Sequence, residues 1–135
     1  MRNTKKNFFT FNIQKIINKK VNIFVFEKLK FSIKRFYFLT NLKKNTKRDG
    51  HSHKKLEQIY ICVNGKIEVK LISNNRVKKI ILVNSKKALY VGNNVWREIK
   101  SLKKDSILCV LASQKYNEID YIRKISDFKK KNKIS

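Results

Sequence analysis

Short alternating runs separated by turn residues constrain the fold of this chain more than any other feature. Residues 57–63 and 66–71 alternate apolar and polar positions, as expected for strands with one face in a core. Asn64 and Gly65 stand between the two runs. This dipeptide predicts a two-residue hairpin, because a type I′ turn requires positive φ at both central residues. We therefore predict that the chain pairs with itself here as two antiparallel strands.

The same pattern recurs along the chain. Further strands are predicted at 21–26, 31–39, 77–83, 88–91, 95–99 and 106–112, with turns at 74–75 and 84–87. From Asn117 onward, apolar residues at every third position predict a short C-terminal helix. Many short strands with turns between them indicate an all-β antiparallel sandwich or barrel, and a jelly-roll antiparallel β-barrel fits the pattern.

The length of 135 residues predicts one domain. We divide the chain into an N-terminal arm or strand of undecided structure (1–20), a jelly-roll domain (21–128) and a basic tail (129–135). No stretch approaches the roughly 18 apolar residues that cross a bilayer, so no membrane partner is predicted. Cys62 and Cys109 fall in apolar strands, which predicts buried thiols in a reducing compartment. The predicted location is the cytoplasm.

The net charge of +25 is extreme, and a charge of this kind usually indicates a nucleic-acid or membrane-surface partner. Here the excess is mostly lysine, and the lysines are spread along predicted strands, turns and tail. We therefore do not predict nucleic-acid binding as the primary function. A basic surface would still attract an anionic small substrate.

The segment 48–58 contains the only two histidines of the chain. His51 and His53 are two residues apart, so in a strand both would project from one face. With Glu57 they could bind a metal as two imidazoles and a carboxylate. Without a metal, the pair suits proton transfer near neutral pH, and Arg35, Arg48 or Arg97 could then stabilise an enediolate oxygen or a diphosphate. Alternatively, both histidines are solvated loop residues.

The ordered blocks of the sequence resemble those of the sugar nucleotide 3,4-ketoisomerases and WxcM-like proteins of the cupin superfamily. The blocks are Ile33-Lys-Arg-Phe-Tyr-Phe38, Arg48-x-x-His-x-His-Lys-Lys-Leu-Glu-Gln58, Leu89-Tyr-Val91, Trp96-Arg-Glu98, Val110-Leu-Ala-Ser113 and Tyr121-Ile-Arg123. The resemblance covers roughly residues 31–128. Arg97 stands where the second cupin motif normally has a metal-binding histidine, and a guanidinium cannot ligate. No metal and no other cofactor is therefore predicted.

The resemblance implies a cupin-type jelly-roll homodimer, often with exchanged N-terminal strands. It also implies an isomerase that moves the keto group of a dTDP-linked 4-keto-6-deoxyhexose from C4 to C3 through an enediol. By matching position, His51 would be the principal base, His53 its partner in proton transfer or substrate orientation, and Tyr37 a hydrogen-bonding pocket residue.

The implied substrate-binding residues are Arg35, Arg48, Trp96, Arg97 and Lys20. Lys20 lies in the segment 18–21, where the family usually carries an arginine and a glycine. It could replace only the charge of that arginine, not its bidentate geometry. The sequence also leaves open a metal-dependent cupin enzyme and a catalytically degenerate sugar nucleotide-binding protein.

Overall fold

The computed structural model describes residues 7–18 and 20–134. Its strands are β1 Phe8–Asn12, β2 Gln14–Asn18, β3 Val21–Val25, β4 Arg35–Leu42, β5 Lys47–His53, β6 Gln58–Asn64, β7 Lys66–Ser73, β8 Arg76–Val83, β9 Lys87–Val91, β10 Trp96–Ser101, β11 Ser106–Ala112 and β12 Tyr121–Ile122. A 3₁₀ helix spans Glu118–Asp120, and one α-helix, α1, spans Ile125–Lys131. No helix in these described ranges has the length and apolar character that crossing a bilayer requires.

Ten of the twelve described strands form two five-stranded antiparallel sheets, and the predicted all-β jelly-roll class is confirmed. The first sheet has the order β1-β9-β6-β11-β4 and the second the order β12-β5-β10-β7-β8. From β4 onward, nearly every connection passes from one sheet to the other. Among the described strands the two sheets stay separate, so the architecture is a jelly-roll-like sandwich rather than a closed barrel.

The hairpin predicted at Asn64-Gly65 is wrong. Strand β6 pairs with β9 and β11, whereas β7 pairs with β8 and β10, so the chain changes sheets at this point. Of the two residues of this dipeptide, only Gly65 has a positive φ, at 88°. A Cβ at Gly65 would collide with the Ser106 side chain, so glycine is required by close packing as well as by backbone conformation. The dipeptide marks a sharp corner between sheets.

The turn at Asn74-Asn75 is the true two-residue hairpin. Ser73 and Arg76 are paired across it, and the two asparagines have φ values of 48° and 62°. Positive φ at both central residues is the type I′ requirement, and asparagine tolerates it better than most residues. The local turn signal was therefore present at both sites, but strand pairing decided which one became a hairpin.

The main core lies between the two sheets. Strand β6 shows why the fold needs two layers: Tyr60 and Cys62 face this core, whereas Ile59 and Ile61 face a second cluster on the outer side of the first sheet. Phe26, Leu29 and Phe31 pack against that second cluster. A strand buried on both faces has to lie in the middle of a sheet, and β6 does.

The C-terminal segment contains less helix than predicted. Helix α1 begins only at Ile125, and β12 pairs with β5 before it. The apolar periodicity from Asn117 predicted a buried helix face, but the Ile119 side chain is 79% exposed and is not part of the core. Phe128, by contrast, is fully buried against the outer side of the second sheet.

Strands β2 and β3 form a separate two-stranded sheet. Most of their residues are exposed, including large apolar side chains: Ile16, Ile17, Val21, Ile23 and Phe24. Within the N-terminal segment, β1 instead joins the edge of the first sheet beside β9.

Candidate active site

The two histidines lie on strand β5, as the two-residue spacing predicts. Their ring centroids are 5.0 Å apart with the planes at 89°. His51 lines a cavity, whereas His53 lies behind it and is fully buried. Ser52 between them is on the opposite face. The alternative of two solvated loop histidines is therefore wrong.

The cavity has a volume of about 470 Å³ and a strongly cationic, aromatic wall. Its charged lining residues are Arg35, Lys47, Arg48, Arg97 and Arg123, and its aromatic ones include Tyr37, Tyr60, Tyr116 and Tyr121. Arg35 lies over the rings of Tyr37 and Tyr116, at 4.4 and 5.4 Å from the centroids. Arg123 lies 4.1 Å from the Tyr121 ring and forms an exposed ion pair with Glu118. Such a wall attracts anions and offers flat surfaces for a ring to stack on.

Arg97 is the most deeply buried of these cations, with an exposed fraction that rounds to 0%. Its Nη1 donates to Gln58 Oε1 at 2.6 Å, and its Nη2 donates to the carbonyl oxygens of Gly92 and Val95 at 3.1 and 2.9 Å. All of these acceptors are neutral, and no described carboxylate forms an ion pair with the guanidinium. A buried charge without a counter-charge is costly, so the site carries a positive potential that an anionic group would relieve.

Tyr37 presents its hydroxyl to the cavity and to the same network. Gln58 Nε2 donates to the Tyr37 hydroxyl at 3.1 Å, and the Tyr60 hydroxyl donates to Gln58 Oε1 at 2.6 Å. Burial raises the pKa of Tyr37, with the nearby Tyr121 acting in the same direction. The Tyr37 hydroxyl is therefore protonated at neutral pH and can donate a hydrogen bond.

Asp120 is a site residue that sequence reasoning missed. Its Oδ2 lies 3.2 Å from His53 Nδ1, and its two oxygens also accept from the backbone N–H groups of Lys55 and Leu56. Burial, followed by the charge of Arg97, lowers the pKa of His53 to about 3. His53 is therefore neutral near pH 7, and its contact with Asp120 is a hydrogen bond rather than an ion pair. Asp120 is separated from His53 by 67 positions, and no local pattern links them.

Three residues named from the sequence lie elsewhere. Trp96 packs with Phe128 on the outer face of the second sheet, because successive strand residues face opposite sides and Arg97 takes the inner one. Lys20 is exposed at the turn between β2 and β3 and does not line the cavity of its own chain. The Glu57 carboxylate accepts a hydrogen bond from the Tyr90 hydroxyl, away from the histidine pair.

A metal site built from His51, His53 and Glu57 therefore does not form. Among the described residues, no three His, Cys, Asp or Glu side chains are grouped so that they could hold a metal ion. Six residues named from the sequence remain, and five of them line one cavity: Arg35, Tyr37, Arg48, His51 and Arg97. The sixth, His53, is buried behind it. Besides Asp120, the polar residues of the site that the sequence reasoning did not select are Lys47, Gln58, Tyr60, Tyr116, Tyr121 and Arg123. Three of these six lie in the blocks 48–58 and 121–123.

Comparison with known proteins agrees with this arrangement. Residues 6–133 match the family model "FdtA: WxcM-like, C-terminal". The TDP-4-oxo-6-deoxy-alpha-D-glucose-3,4-oxoisomerase of Aneurinibacillus thermoaerophilus is 41% identical over 122 residues, which cover 88% of each chain.

Two crystal structures are similar in both sequence and fold. The sugar 3,4-ketoisomerase QdtA of Thermoanaerobacterium thermosaccharolyticum, in complex with TDP, has 35% identity and a TM-score of 0.90, covering 96% of each chain. A 3,4-ketoisomerase from Helicobacter canadensis has 33% identity and a TM-score of 0.89, covering 94% of this chain and 98% of its own. The family model matches nearly the whole chain, and the Aneurinibacillus relative is 41% identical to it. The chain therefore belongs to the FdtA, WxcM-like family.

Proposed function

We propose that this protein is a sugar nucleotide 3,4-ketoisomerase, which moves the keto group of a TDP-4-keto-6-deoxyhexose from C4 to C3. The family and its named relatives support the reaction class. The cavity supports the substrate class, because its arginines suit a diphosphate and its tyrosines suit planar rings. No cofactor is required, since the reaction moves protons without net oxidation or reduction.

The observation that carries the proposal is the pairing of His51 with Arg97. The two residues are Cα partners across strands β5 and β10, and both side chains line the cavity. A base beside a buried guanidinium is the arrangement needed to remove a proton next to a carbonyl, because the cation stabilises the oxygen that gains negative charge.

The proposed reaction has two proton-transfer steps. His51 takes the proton from C3, the electron pair of the C3–H bond forms a C3=C4 double bond, and the former carbonyl oxygen at C4 gains a proton. The resulting enediol then receives the proton held by His51 at C4 and loses the proton on the C3 oxygen, which leaves a carbonyl at C3. This loss balances the proton that the C4 oxygen gained in the first step. Tyr37, held protonated, donates a hydrogen bond to a sugar oxygen, while Arg35 and Arg48 hold the diphosphate at the cationic wall.

The test is direct observation of the keto group. Purified protein is incubated with TDP-4-keto-6-deoxyglucose, and the sugar carbons are followed by NMR. We expect a 3-keto product from the wild type and none from His51→Asn, which keeps the size of the side chain but cannot act as a base. Unchanged substrate with the wild-type protein, under conditions in which the Aneurinibacillus relative turns over, would contradict the proposal. Binding without turnover would instead indicate a degenerate sugar nucleotide-binding protein.

We also propose that the protein works as a homodimer, with the β2–β3 hairpin as the exchanged element. The support is that this hairpin pairs only with itself among the described strands and exposes a row of apolar side chains. A substrate-binding role for Lys20 depends on this dimer, because the hairpin tip would have to reach the cavity of a second copy. A cytoplasmic location is proposed because Cys62 and Cys109 are both free thiols.

A further inference from the structure

The carboxylate of Asp120 is buried beside the catalytic cavity, and the mechanism above does not use it. Asp120 is only 7% exposed and ends the 3₁₀ helix that leads into β12. Its Oδ1 accepts from Lys55 N–H at 2.9 Å, and its Oδ2 accepts from Leu56 N–H at 3.2 Å. These two backbone bonds fix the carboxylate, so that Oδ2 stands 3.2 Å from His53 Nδ1.

This contact determines which nitrogen of His53 carries the hydrogen. An ionised carboxylate can only accept, so the hydrogen of the Asp120–His53 bond belongs to Nδ1. A neutral imidazole has one N–H, and Nε2 therefore keeps a lone pair. That nitrogen is buried and has no hydrogen-bond partner among the residues that the structure describes. The ring lies 5.0 Å from the ring of His51 and 4.3 Å from that of Tyr121.

The groups facing His53 disfavour a second proton on its ring. Arg97, Arg123 and Arg35 are cations from three different strands or segments, and Asp120 and the more distant Glu118 are the carboxylates on this side. Burial is the larger effect, and the charges of the arginines add to it. His53 thus differs from His51 in chemical role: it is a neutral acceptor of fixed orientation, while His51 lines the cavity.

We propose that Asp120 is a positioning residue for the isomerisation, holding His53 in the Nδ1–H tautomer so that its Nε2 lone pair serves the His51 side chain. This inference rests on the proposed function. When His51 takes the C3 proton on the ring nitrogen that faces the sugar, its other ring nitrogen already carries an N–H. The Nε2 lone pair of His53 accepts a hydrogen bond from that second N–H and stabilises the imidazolium until the proton returns to C4. No proton needs to reach Asp120.

The tautomer is measured first, without reference to activity. The chain has only two histidines, so ¹⁵N-labelled histidine gives two ring systems, and a His53→Gln variant assigns them. At pH 7 we expect His53 to carry its hydrogen on Nδ1 in the wild type. In Asp120→Ala we expect that preference to be lost and the hydrogen-bonded Nδ1–H signal to disappear. A wild-type His53 with the hydrogen on Nε2 overturns the inference.

Kinetics then separate positioning from a merely structural role. Asp120→Ala is expected to lower kcat by at least about 10-fold, with KM changed by less than about 2-fold, since the carboxylate lies behind the cavity; loss of a comparable aspartate can cost far more. In the His53→Gln background, the same substitution should lower kcat no further, because its effect passes through His53. Independent, additive losses contradict the proposal, as does full activity of His53→Gln.

Two further variants keep the test decisive. Asp127→Asn removes an exposed carboxylate from α1 and should leave both kcat and the tautomer unchanged. If Asp120→Ala does not fold, Asp120→Asn carries the same test, because the amide retains hydrogen-bonding groups while losing the charge. If His53→Gln has no measurable activity, the ¹⁵N measurement of the His53 tautomer tests the inference without the kinetics.

Failure of the proposed function can be told apart from failure of this inference. A wild-type protein that does not isomerise TDP-4-keto-6-deoxyglucose refutes the proposed function, whereas the ¹⁵N measurement tests the position of the His53 hydrogen independently of activity.

Discussion

His51 and Arg97 are direct partners across two antiparallel strands, although 46 positions separate them in the chain. The register of β5 with β10 places them opposite one another and becomes irregular immediately afterwards, between Arg97 and Ile99. Irregularities of this kind bend a strand and are common beside active sites. The pairing brings the proposed base, His51, and a buried cation to the same wall of the cavity.

Arg97→Lys should impair both catalysis and stability. Lysine keeps the charge but cannot reach Gln58 and the carbonyl oxygens of Gly92 and Val95 together. We expect kcat to fall by about 10-fold or more, and the free energy of unfolding to fall by about 1–3 kcal/mol. Arg76→Lys, at an exposed position that begins β8, is the matched control and should change neither. Wild-type kcat in Arg97→Lys would mean that the forked geometry is dispensable.

Tyr37→Phe should lower kcat while preserving the fold. The substitution removes a protonated hydroxyl that faces the cavity and leaves Gln58 Nε2 without one acceptor. A loss of about 10- to 100-fold in kcat is expected for a hydrogen-bond donor to the reacting sugar. Tyr90→Phe is the control, because its hydroxyl bonds Glu57 outside the cavity. Equal effects of the two variants on kcat would contradict the assigned role of Tyr37.

Acidification should destabilise the protein through His53. The pKa of this residue is about 3 in the folded protein and near 6.5 when unfolded, so the unfolded state binds more protons between these values. Its contribution to stability is therefore complete above pH 6.5 and is lost as the pH falls towards 3, with a slope approaching about 1.4 kcal/mol per pH unit. Urea unfolding from pH 7 to 4 measures it. His53→Gln should show a shallower decline, and identical slopes would show that His53 does not titrate as described.

Gly65→Ala tests the corner between the sheets. The new Cβ would collide with Ser106 in a backbone conformation with φ of 88°, so we expect a loss of about 1–3 kcal/mol or more in unfolding free energy. Asn75→Gly is the contrasting variant, since glycine accepts the positive φ of that hairpin position at little cost. Denaturant unfolding measures the free energy of unfolding of both variants. A Gly65→Ala protein as stable as the wild type would contradict the close packing at this corner.

Charges on the β2–β3 hairpin should break the proposed dimer. Ile17 and Ile23 are 73% and 44% exposed, and replacing both with glutamate would put unpaired charges into an apolar interface. Sedimentation analysis is expected to show a dimer for the wild type and a monomer for the double variant. Ile119→Glu, at another highly exposed isoleucine, should remain dimeric. A monomeric wild-type protein would refute the dimer.

The sequence alone was sufficient for most of the strands from β3 to β11, the family and the position of the histidine pair, whereas β1, β2 and β12 were not predicted. These follow from local causes: alternation fixes which side chains share a face, and two-residue spacing places His51 and His53 together in any strand. The alternation of β4 likewise placed Arg35, Tyr37 and Leu39 on one face, and all three line the cavity. The sequence reasoning named both Trp96 and Arg97 as substrate-binding residues, but they are adjacent in a strand and face opposite sides.

Tertiary structure decided everything that depends on partners distant in the chain. Asn64-Gly65 and Asn74-Asn75 both carry turn signals. The second became a hairpin because β7 pairs with β8. At the first, β6 is buried on both faces in the middle of one sheet, and the chain continues into the other sheet. Asp120 meets His53, and Arg97 meets Gln58, only after the sheets have packed. Such contacts leave no local periodicity, because register and layer packing bring them together rather than the spacing of neighbouring residues.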